Sequence, residues 1–226
     1  MDKDRLTFSQ YFEADRIPIS VEIMEAWGVD KRGGVAHSHE FSELAVVTSG
    51  EITHLTPGAN VRGKVGDVML IHPGMRHTYA DPSPDGCVYN LIYDASAPIP
   101  GLLLLSGQLP FMGCIYPPSR SPVTDNAEPV CRIQPKTLET VRAAMDMIAA
   151  EKKNPRPGSQ MLITSLFSEI IVLIGREYAS SDDAPPAHWY LNKVTNYLQH
   201  HFAEKITVSE LAKIADYVLV EADGAK

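Results

Sequence analysis

Cysteine is scarce in this chain of 226 residues, and the few that occur are not paired in sequence. The three cysteines are Cys87, Cys114 and Cys131, an odd number without any C-x-x-C spacing. This distribution argues against a disulfide framework and against a zinc finger. We therefore expect reduced thiols, as is usual for proteins of the cytoplasm.

The chain also has few basic residues and few long apolar runs. The chain carries 20 lysines and arginines against 28 acidic residues, a formal net charge of −8, which lacks the basic excess of a nucleic-acid-binding domain. Residues 188–226 alone have four lysines and five acidic residues, a net charge of −1. No apolar h-region follows the N-terminus, and the longest apolar stretches, near 102–105 and 170–174, are too short to span a bilayer. These absences predict a soluble, cytoplasmic protein with no membrane partner.

Hydrophobic residues, at 44%, are numerous enough for a real core. Residues 19–23 alternate apolar and polar side chains, the period-two pattern of a half-buried strand. Five further β-rich runs follow, separated by glycine and proline turns, at 44–48, 52–55, 61–65, 68–71 and 88–93. Many short strands at near-even spacing are typical of a sandwich or barrel.

The pattern becomes helical after residue 134. Apolar residues recur at helical spacing from Leu138 to Ile148, and Asn-Pro-Arg-Pro-Gly at 154–158 interrupts them. We expect Ser159 to cap a second helix that runs to about residue 178. Because this helix is apolar on more than one face, it is predicted to contact both its own domain and a second subunit.

A polar, proline-bearing linker is predicted at 180–187, followed by a third helix at about 190–202. The sequence Thr207-Val-Ser-Glu210 then matches a capping box. In that motif the hydroxyl and the carboxylate each accept from a backbone N–H at a helix start. A fourth helix is therefore predicted to begin after Thr207.

Two short clusters contain three histidines and one glutamate: His37, His39 and Glu43 in the first, and His77 in the second. Side chains alternate along an extended chain, so His37 and His39 point to one side, and Glu43 shares it if the strand is regular. Imidazole and carboxylate without thiolate suit Zn, Ni, Fe or Mn. The pattern predicts one divalent ion on these four residues, with open positions for water or an oxygen-rich small molecule.

The spacing of the clusters resembles the two motifs of the cupin barrel. The first motif is matched by His37, His39, Glu43 and Gly50, and the second by Gly66, Gly74 and His77. The departures fall on turn positions: Lys31 for a glycine, His72 for a proline and Asp81 for an asparagine. The resemblance covers roughly residues 18–95 and implies a double-stranded β-helix, or jelly-roll, whose lumen contains the metal.

Five other residues are candidates for effector binding, because strand parity can turn them into the same lumen: His54, Arg76, Tyr79, Tyr89 and Tyr93. Arg76 is the strongest of them, since a guanidinium beside a metal can hold carboxylate or hydroxyl oxygens. The alternative for each is ordinary packing in the barrel or a place on its surface.

The order of barrel, helical hairpin, linker and capped helix resembles the AraC/XylS family of transcription regulators. Residues 190–215 look like the opening of that family's DNA-binding domain, a leading helix and the first helix of a helix-turn-helix. After Asp216 the sequence departs from the family, and its tail has no basic recognition face. The predicted domains are an N-terminal arm at 1–17, a cupin sensor barrel at 18–130, a helical dimerisation hairpin at 131–179, the linker at 180–187 and a truncated helix-turn-helix domain at 188–226.

The resemblance implies a mainly β protein with C-terminal helices that senses a small effector, such as a sugar or sugar acid, near the metal. Because a sensor is not an enzyme, no catalytic residue is assigned. The resemblance further implies a homodimer that contacts promoter DNA only through an intact regulator, and the DNA-binding residues are unknown. The alternative is a metal-dependent cupin enzyme, an isomerase or dioxygenase, for which the same four ligands suffice. The family-like C-terminal segment favours the regulator, because an enzyme has no use for it.

Overall fold

The computed structural model describes residues 5–12, 17–25, 35–97, 99, 109, 111–115, 129–180, 194, 197–198, 201 and 204–214. The strands are β1 Arg5–Leu6, β2 Ile19–Glu25, β3 Ser38–His39, β4 Ser42–Ser49, β5 Glu51–Thr56, β6 Ala59–Lys64, β7 Asp67–Ile71, β8 Thr78–Ala80, β9 Cys87–Tyr93 and β10 Cys131–Arg132. The helices are α1 Ser9–Phe12, α2 Met112–Ile115, α3 Pro135–Lys153, α4 Ser159–Ala179 and α5 Val208–Ile214.

Two antiparallel sheets share one interior. The larger has five strands in the order β10-β7-β4-β9-β2, and the smaller has three in the order β6-β5-β8. Ala45, Met69 and Val88 of the larger sheet and Ile52 and Tyr79 of the smaller belong to one buried cluster. We call the space between the two sheets the lumen. Two packed antiparallel sheets of short strands are the architecture of a jelly-roll, which confirms the predicted fold class.

Strand β4 lies between β7 and β9, and both of its faces are buried. Ala45 and Val47 pack in the lumen, whereas Leu44 and Val46 pack on the outer face with the helices. Since side chains alternate with period two, Glu43 takes the lumen side. Burial on both faces also explains why this strand reads as a continuous apolar run.

Helices α3 and α4 form a hairpin that covers the outer face of the five-stranded sheet. Val141 of α3 and Phe167 of α4 share one core cluster with residues of the sheet, and the ring of Phe167 lies 5.3 Å from that of Tyr93 on β9. By length and composition alone α4 could cross a membrane, yet 50% of its apolar window is buried inside the protein. It is the core helix that the apolar pattern of residues 159–178 predicts.

The start of α4 differs from the expectation that Ser159 caps it. Gly158 occupies the cap position with a φ of 94°, a left-handed conformation that glycine adopts without strain. Ser159 is the first residue of the helix, and its hydroxyl donates to a carboxylate oxygen of Glu151 at 2.6 Å. Arg156 donates to the other oxygen of Glu151 at 2.8 Å. The buried carboxylate of Glu151 thus joins the two helices, which explains why the serine is not the cap.

The N-terminal arm contains elements that have no sequence signal of their own. Strand β1 pairs in parallel with β3, so that Arg5 lies opposite Ser38 and Leu6 opposite His39. The single turn α1 follows, and its Phe12 is buried. Where the structure describes it, the arm is therefore docked on the barrel beside the first histidine cluster.

Helix α5 begins with the predicted capping box. The N–H of Glu210 donates to the hydroxyl of Thr207 at 3.3 Å, and the N–H of Thr207 donates to the carboxylate of Glu210 at 2.8 Å. The capped helix is therefore confirmed. The predicted linker after Ser180 and most of the third helix lie outside the described residues, and the helix-turn-helix assignment stays a prediction.

Replacing Phe167 by alanine should lower the free energy of unfolding by about 3–5 kcal/mol, because removing a fully buried ring leaves a cavity in the core. Glu169 on the same helix is exposed, and its replacement by alanine should change that free energy by less than about 0.5 kcal/mol. Urea unfolding followed by circular dichroism measures both variants. Similar losses in the two variants would contradict the orientation of α4.

Candidate metal centre

Backbone hydrogen bonds join the two histidine clusters. The N–H of His37 donates to the carbonyl of His77, and the N–H of His77 donates to the carbonyl of His37, both at 2.9 Å. The N–H of Gly74 donates to the carbonyl of His39 at 2.9 Å, and its φ of 82° is one that glycine readily adopts. Residues far apart in sequence are thereby placed side by side on one edge of the barrel.

Three of the four predicted ligands, His37, Glu43 and His77, converge as one group, and His39 lies outside this group but next to Glu43. Nε2 of His39 lies 3.9 Å from Oε1 of Glu43, and Nε2 of His77 lies 3.8 Å from Oε2 of the same carboxylate. The ligand atoms of His37, Glu43 and His77 all lie within 4.8 Å of one another. Two ligands bound at about 2.0–2.2 Å to one ion are at most about 4.4 Å apart. These spacings therefore suit a single ion after a small contraction of the widest pair.

Several atoms of this cluster are buried and have no hydrogen-bond partner among the described residues: Nε2 of His39, Nε2 of His77 and Oε2 of Glu43. Buried polar atoms are normally paired, so unpaired atoms that converge need an explanation. A bound cation provides one, because lone pairs of imidazole and carboxylate are what it would occupy. The donor set therefore fits a divalent metal.

Hydrogen bonds also set the proton position on two of the imidazoles. Nδ1 of His39 donates to the carbonyl of Phe41 at 2.6 Å, and Nδ1 of His37 donates to the carbonyl of Val35 at 3.1 Å. A carbonyl oxygen only accepts, so in neutral imidazoles Nδ1 has the hydrogen and Nε2 has the lone pair. Both rings are thereby prepared to bind a metal through Nε2.

Burial disfavours the charged forms of Glu43, His39 and His77. It raises the pKa of Glu43 to about 8, and the negative charge of Glu22 adds to this effect. Burial lowers the pKa of His39 to about 4, although the hydrogen bond to Phe41 opposes the shift, and it holds the pKa of His77 well below its usual value. A bound cation would favour the carboxylate form of Glu43, so metal binding should release a proton.

Two of the predicted effector-binding residues lie in the lumen near this cluster. His54 on β5 and Tyr79 on β8 are paired across their strands, and both are buried. The Tyr79 hydroxyl donates to the side-chain oxygen of Asn90 at 3.3 Å, and Nε2 of His54 lies 3.3 Å from Nδ1 of His77. Arg76 is exposed, next to His77 in sequence. A role in effector binding stays a prediction for these three residues.

The expectation that Tyr89 and Tyr93 line the lumen is wrong. Both belong to the core cluster on the outer face of the sheet, with the helices. The Tyr89 hydroxyl donates to Asp146 of α3 at 2.9 Å, and the Tyr93 hydroxyl donates to the carbonyl of Ile115 at 3.2 Å. They alternate with Val88 and the other lumen-facing residues of β9, so strand parity places them against the hairpin.

Sequence reasoning missed two residues that belong to the site. Asn90 is buried in the lumen beside Tyr79, and no polar alternation marked it, because both faces of β9 are buried. The ring of Phe41 stacks on that of His39, with centroids 4.6 Å apart and planes 5° from parallel. No sequence pattern predicts this stack, because Phe41 lies in the bend between β3 and β4, where strand periodicity gives no direction to its side chain.

The fold and the donor set define a cupin, and the comparison with known families agrees. A family model described as cupin matches residues 15–180, which include the barrel and the helical hairpin. Since the match extends over more than half of the sequence, the chain belongs to the cupin family.

Similar curated proteins include transcriptional activators. The HTH-type transcriptional activator RhaR of Shigella dysenteriae is 24% identical over 159 residues, which cover 66% of this chain and 49% of that protein. RhaR of Escherichia coli strain K12 is 27% identical with the same coverage. The similarity confirms the predicted resemblance to AraC-type regulators. The chain spans about half the length of the curated relatives it matches.

Similar solved structures include the AraC-like transcriptional activator CuxR, 9% identical, with 79% of this chain and 58% of that chain covered and a TM-score of 0.38. KdgF from Halomonas sp. is 21% identical, with 34% and 70% covered and a TM-score of 0.30. The assignment of the fold depends on the observed sheets and the family match, and these distant likenesses add no argument to it.

The metal-free protein should carry a component of stability that declines as pH rises from about 4.5 to about 8. The folded state keeps the Glu43 proton across this window, whereas the unfolded chain releases it near 4.5. Because the folded state binds more protons there, rising pH favours unfolding. Replacing Glu43 by glutamine should remove this component. Chemical unfolding in EDTA across the window measures it.

Glu169→Gln, on the exposed part of α4, is the matched control and should keep the wild-type pH dependence. Taking the difference between wild type and Glu43→Gln also removes the opposite contribution of His39. Because the pKa of His39 is lowered in the folded state, its contribution to the stability of the protein is lost as pH falls from 6.5 towards about 4. An unchanged slope in Glu43→Gln would contradict the burial of a protonated carboxyl.

Proposed function

We propose that the protein is the ligand-sensing and dimerisation region of an AraC-type transcription regulator. In this proposal it binds a small effector, a sugar or a sugar acid, beside a divalent metal in the lumen, and it is cytoplasmic and not an enzyme. Its membership of the cupin family and its similarity to activators support the proposal. The observation that carries it is a continuous series of contacts from the ligand His39 to helix α3.

The metal would be held by His37, His39, Glu43 and His77. The convergence of His37, Glu43 and His77 supports this assignment, as do the buried unpartnered atoms of His39, Glu43 and His77. Zn, Ni, Fe and Mn all suit these donors. The ion would supply open coordination positions to effector oxygens. Around it, His54 and Tyr79 offer hydrogen-bonding groups in the lumen, and Arg76 offers a guanidinium at the surface.

The first part of the route runs from the metal cluster to the N-terminal arm. His39 stacks on Phe41, and the ring of Tyr11 meets Phe41 edge-on at 4.8 Å. Phe12 and Phe41 also share a small buried cluster with Ile92 of β9. Because packed rings resist independent movement, a shift of His39 on metal binding would also displace the arm.

The second part runs from the arm to the hairpin. Nζ of Lys152, near the end of α3, donates to the carbonyls of Tyr11 and Ile17, each at 3.4 Å. The same ammonium lies 6.0 Å from the centre of the Phe12 ring, within reach of a cation–π attraction. Occupancy of the lumen could thus bias how the arm and hairpin pack, and so how an intact regulator presents its DNA-binding domains to promoter DNA.

Wild-type protein should bind a divalent ion, and the ion should slow amide exchange in residues 5–12 and at the end of α3. The reason is that fixing His39 also fixes the rings and the lysine contacts that follow it. His39→Ala should weaken metal binding by at least about tenfold and abolish the effect on exchange. Elemental analysis and hydrogen exchange with added Zn²⁺ or Ni²⁺ measure these outcomes.

The variant Lys152→Met tests the two parts of the route separately, because it keeps an apolar side chain but loses the donor to the carbonyls of the arm. It should retain metal binding and slowed exchange in the arm while losing the effect in α3. Metal binding that leaves arm exchange unchanged in the wild type would contradict the route, and absence of metal binding would contradict the metal centre. Turnover in a panel of sugars and sugar acids would favour the cupin enzyme instead.

The protein should form a homodimer through the hairpin. Met147, Met161 and Leu162 lie in the half of the hairpin nearest its connection and are 49%, 70% and 36% exposed. Exposed large apolar side chains on two neighbouring helices favour an interface. Met161→Glu should weaken dimerisation by at least about tenfold, since it would bury an unpaired charge. Sedimentation velocity at micromolar concentration measures the state.

Val65→Glu is the control for the dimer, because Val65 is 45% exposed in the turn between β6 and β7 and belongs to the barrel. It should leave the dimer intact. A monomeric wild type, or equal effects of the two substitutions, would count against an interface on the hairpin.

A further inference from the structure

The three histidines of the metal cluster are held through Nδ1 in two different ways. Backbone carbonyls accept from His37 and His39, so the backbone decides where those rings carry their hydrogen. Nδ1 of His77 instead lies 3.3 Å from Nε2 of His54. An imidazole nitrogen can accept or donate, so this contact permits two arrangements of the hydrogen.

The two arrangements have opposite consequences for the metal. When His77 donates from Nδ1 to His54, the neutral ring of His77 has its lone pair on Nε2, which lies 3.8 Å from Glu43. When His54 donates from Nε2 to His77, the hydrogen of His77 is on Nε2, and that nitrogen cannot bind a cation. Among the three histidine ligands, His77 is thus the one whose competence depends on another side chain.

The position of His54 is well defined by the fold. Its side chain is 1% exposed, and the strand pairing of β5 with β8 sets it opposite Tyr79. Its ring lies 5.4 Å from that of His77 at an interplanar angle of 73°. Since Nδ1 and Nε2 are on different edges of the His77 ring, His54 contacts the edge that does not face Glu43.

We propose that His54 is a positioning residue that accepts the Nδ1–H of His77 and holds its Nε2 lone pair towards the metal. The inference deepens the proposed metal centre and depends on it. It also gives His54 a different role from the predicted contact with the effector. Groups that orient ligand histidines in this way typically change metal affinity by about 10–100-fold when they are removed.

Two substitutions separate the accepting group from the volume of the side chain. His54→Phe keeps an aromatic ring but has no acceptor, and Zn²⁺ affinity should fall by about 10–100-fold. His54→Gln keeps an accepting oxygen and should lose less than about tenfold. Thr53→Val, one residue earlier on β5, removes an exposed hydroxyl that accepts from Arg62 and should leave affinity unchanged. Calorimetry with Zn²⁺ and the visible spectrum of bound Co²⁺ report affinity and geometry.

The tautomer of His77 is measured directly by ¹⁵N NMR of the imidazoles in metal-free protein. We expect the hydrogen on Nδ1 in the wild type and a shift towards Nε2 in His54→Phe. A wild-type His77 with its hydrogen on Nε2, or undiminished Zn²⁺ affinity in folded His54→Phe, would overturn the role of His54. If the wild type binds no metal, the proposed metal centre fails, while the NMR result on the wild type still decides the tautomer.

Discussion

The burial of strand β4 on both faces is the constraint that connects the parts of this molecule. Alternate side chains of one strand must satisfy two environments, the lumen on one side and the helical hairpin on the other. Glu43 therefore reaches the histidines in the lumen while its neighbour Leu44 packs beneath the helices. A one-residue slip in register would exchange these roles and bury the wrong set on each side.

Against this apolar framework, the polar cluster in the lumen opposes folding. Three imidazoles and a carboxylate are gathered where several of their atoms have no partner among the described residues. A buried polar group without a hydrogen bond costs about 1–3 kcal/mol by mutational data. Aliphatic side chains would pack more favourably in the lumen, so the polar cluster indicates a functional site. A cation held by the same atoms would offset much of this cost.

The cluster contacts its surroundings in two ways. On one side the ring of Phe41 joins His39 to the aromatic residues of the arm. On another, His54 contacts His77 from within the barrel. Contacts of the first kind couple positions, because packed rings resist independent movement, whereas in the second kind two imidazole nitrogens share one hydrogen. One small cluster thus connects with the arm, the hairpin and the smaller sheet.

Features that depend on interactions between residues close together in sequence could be predicted from the sequence alone. Spacing along a strand put His37 and His39 on one side, and helical spacing and the capping box at Thr207 marked helices that the structure contains. The tertiary structure decided features that depend on segments meeting in space. Tyr89 and Tyr93 face the hairpin, yet both faces of β9 are buried, so no polar alternation could reveal the side. The pairing of β1 with β3 and the contact of His54 with His77 join residues whose separation along the chain contains no signal. Local periodicity reports the direction of a side chain, and only the packed fold decides what lies there.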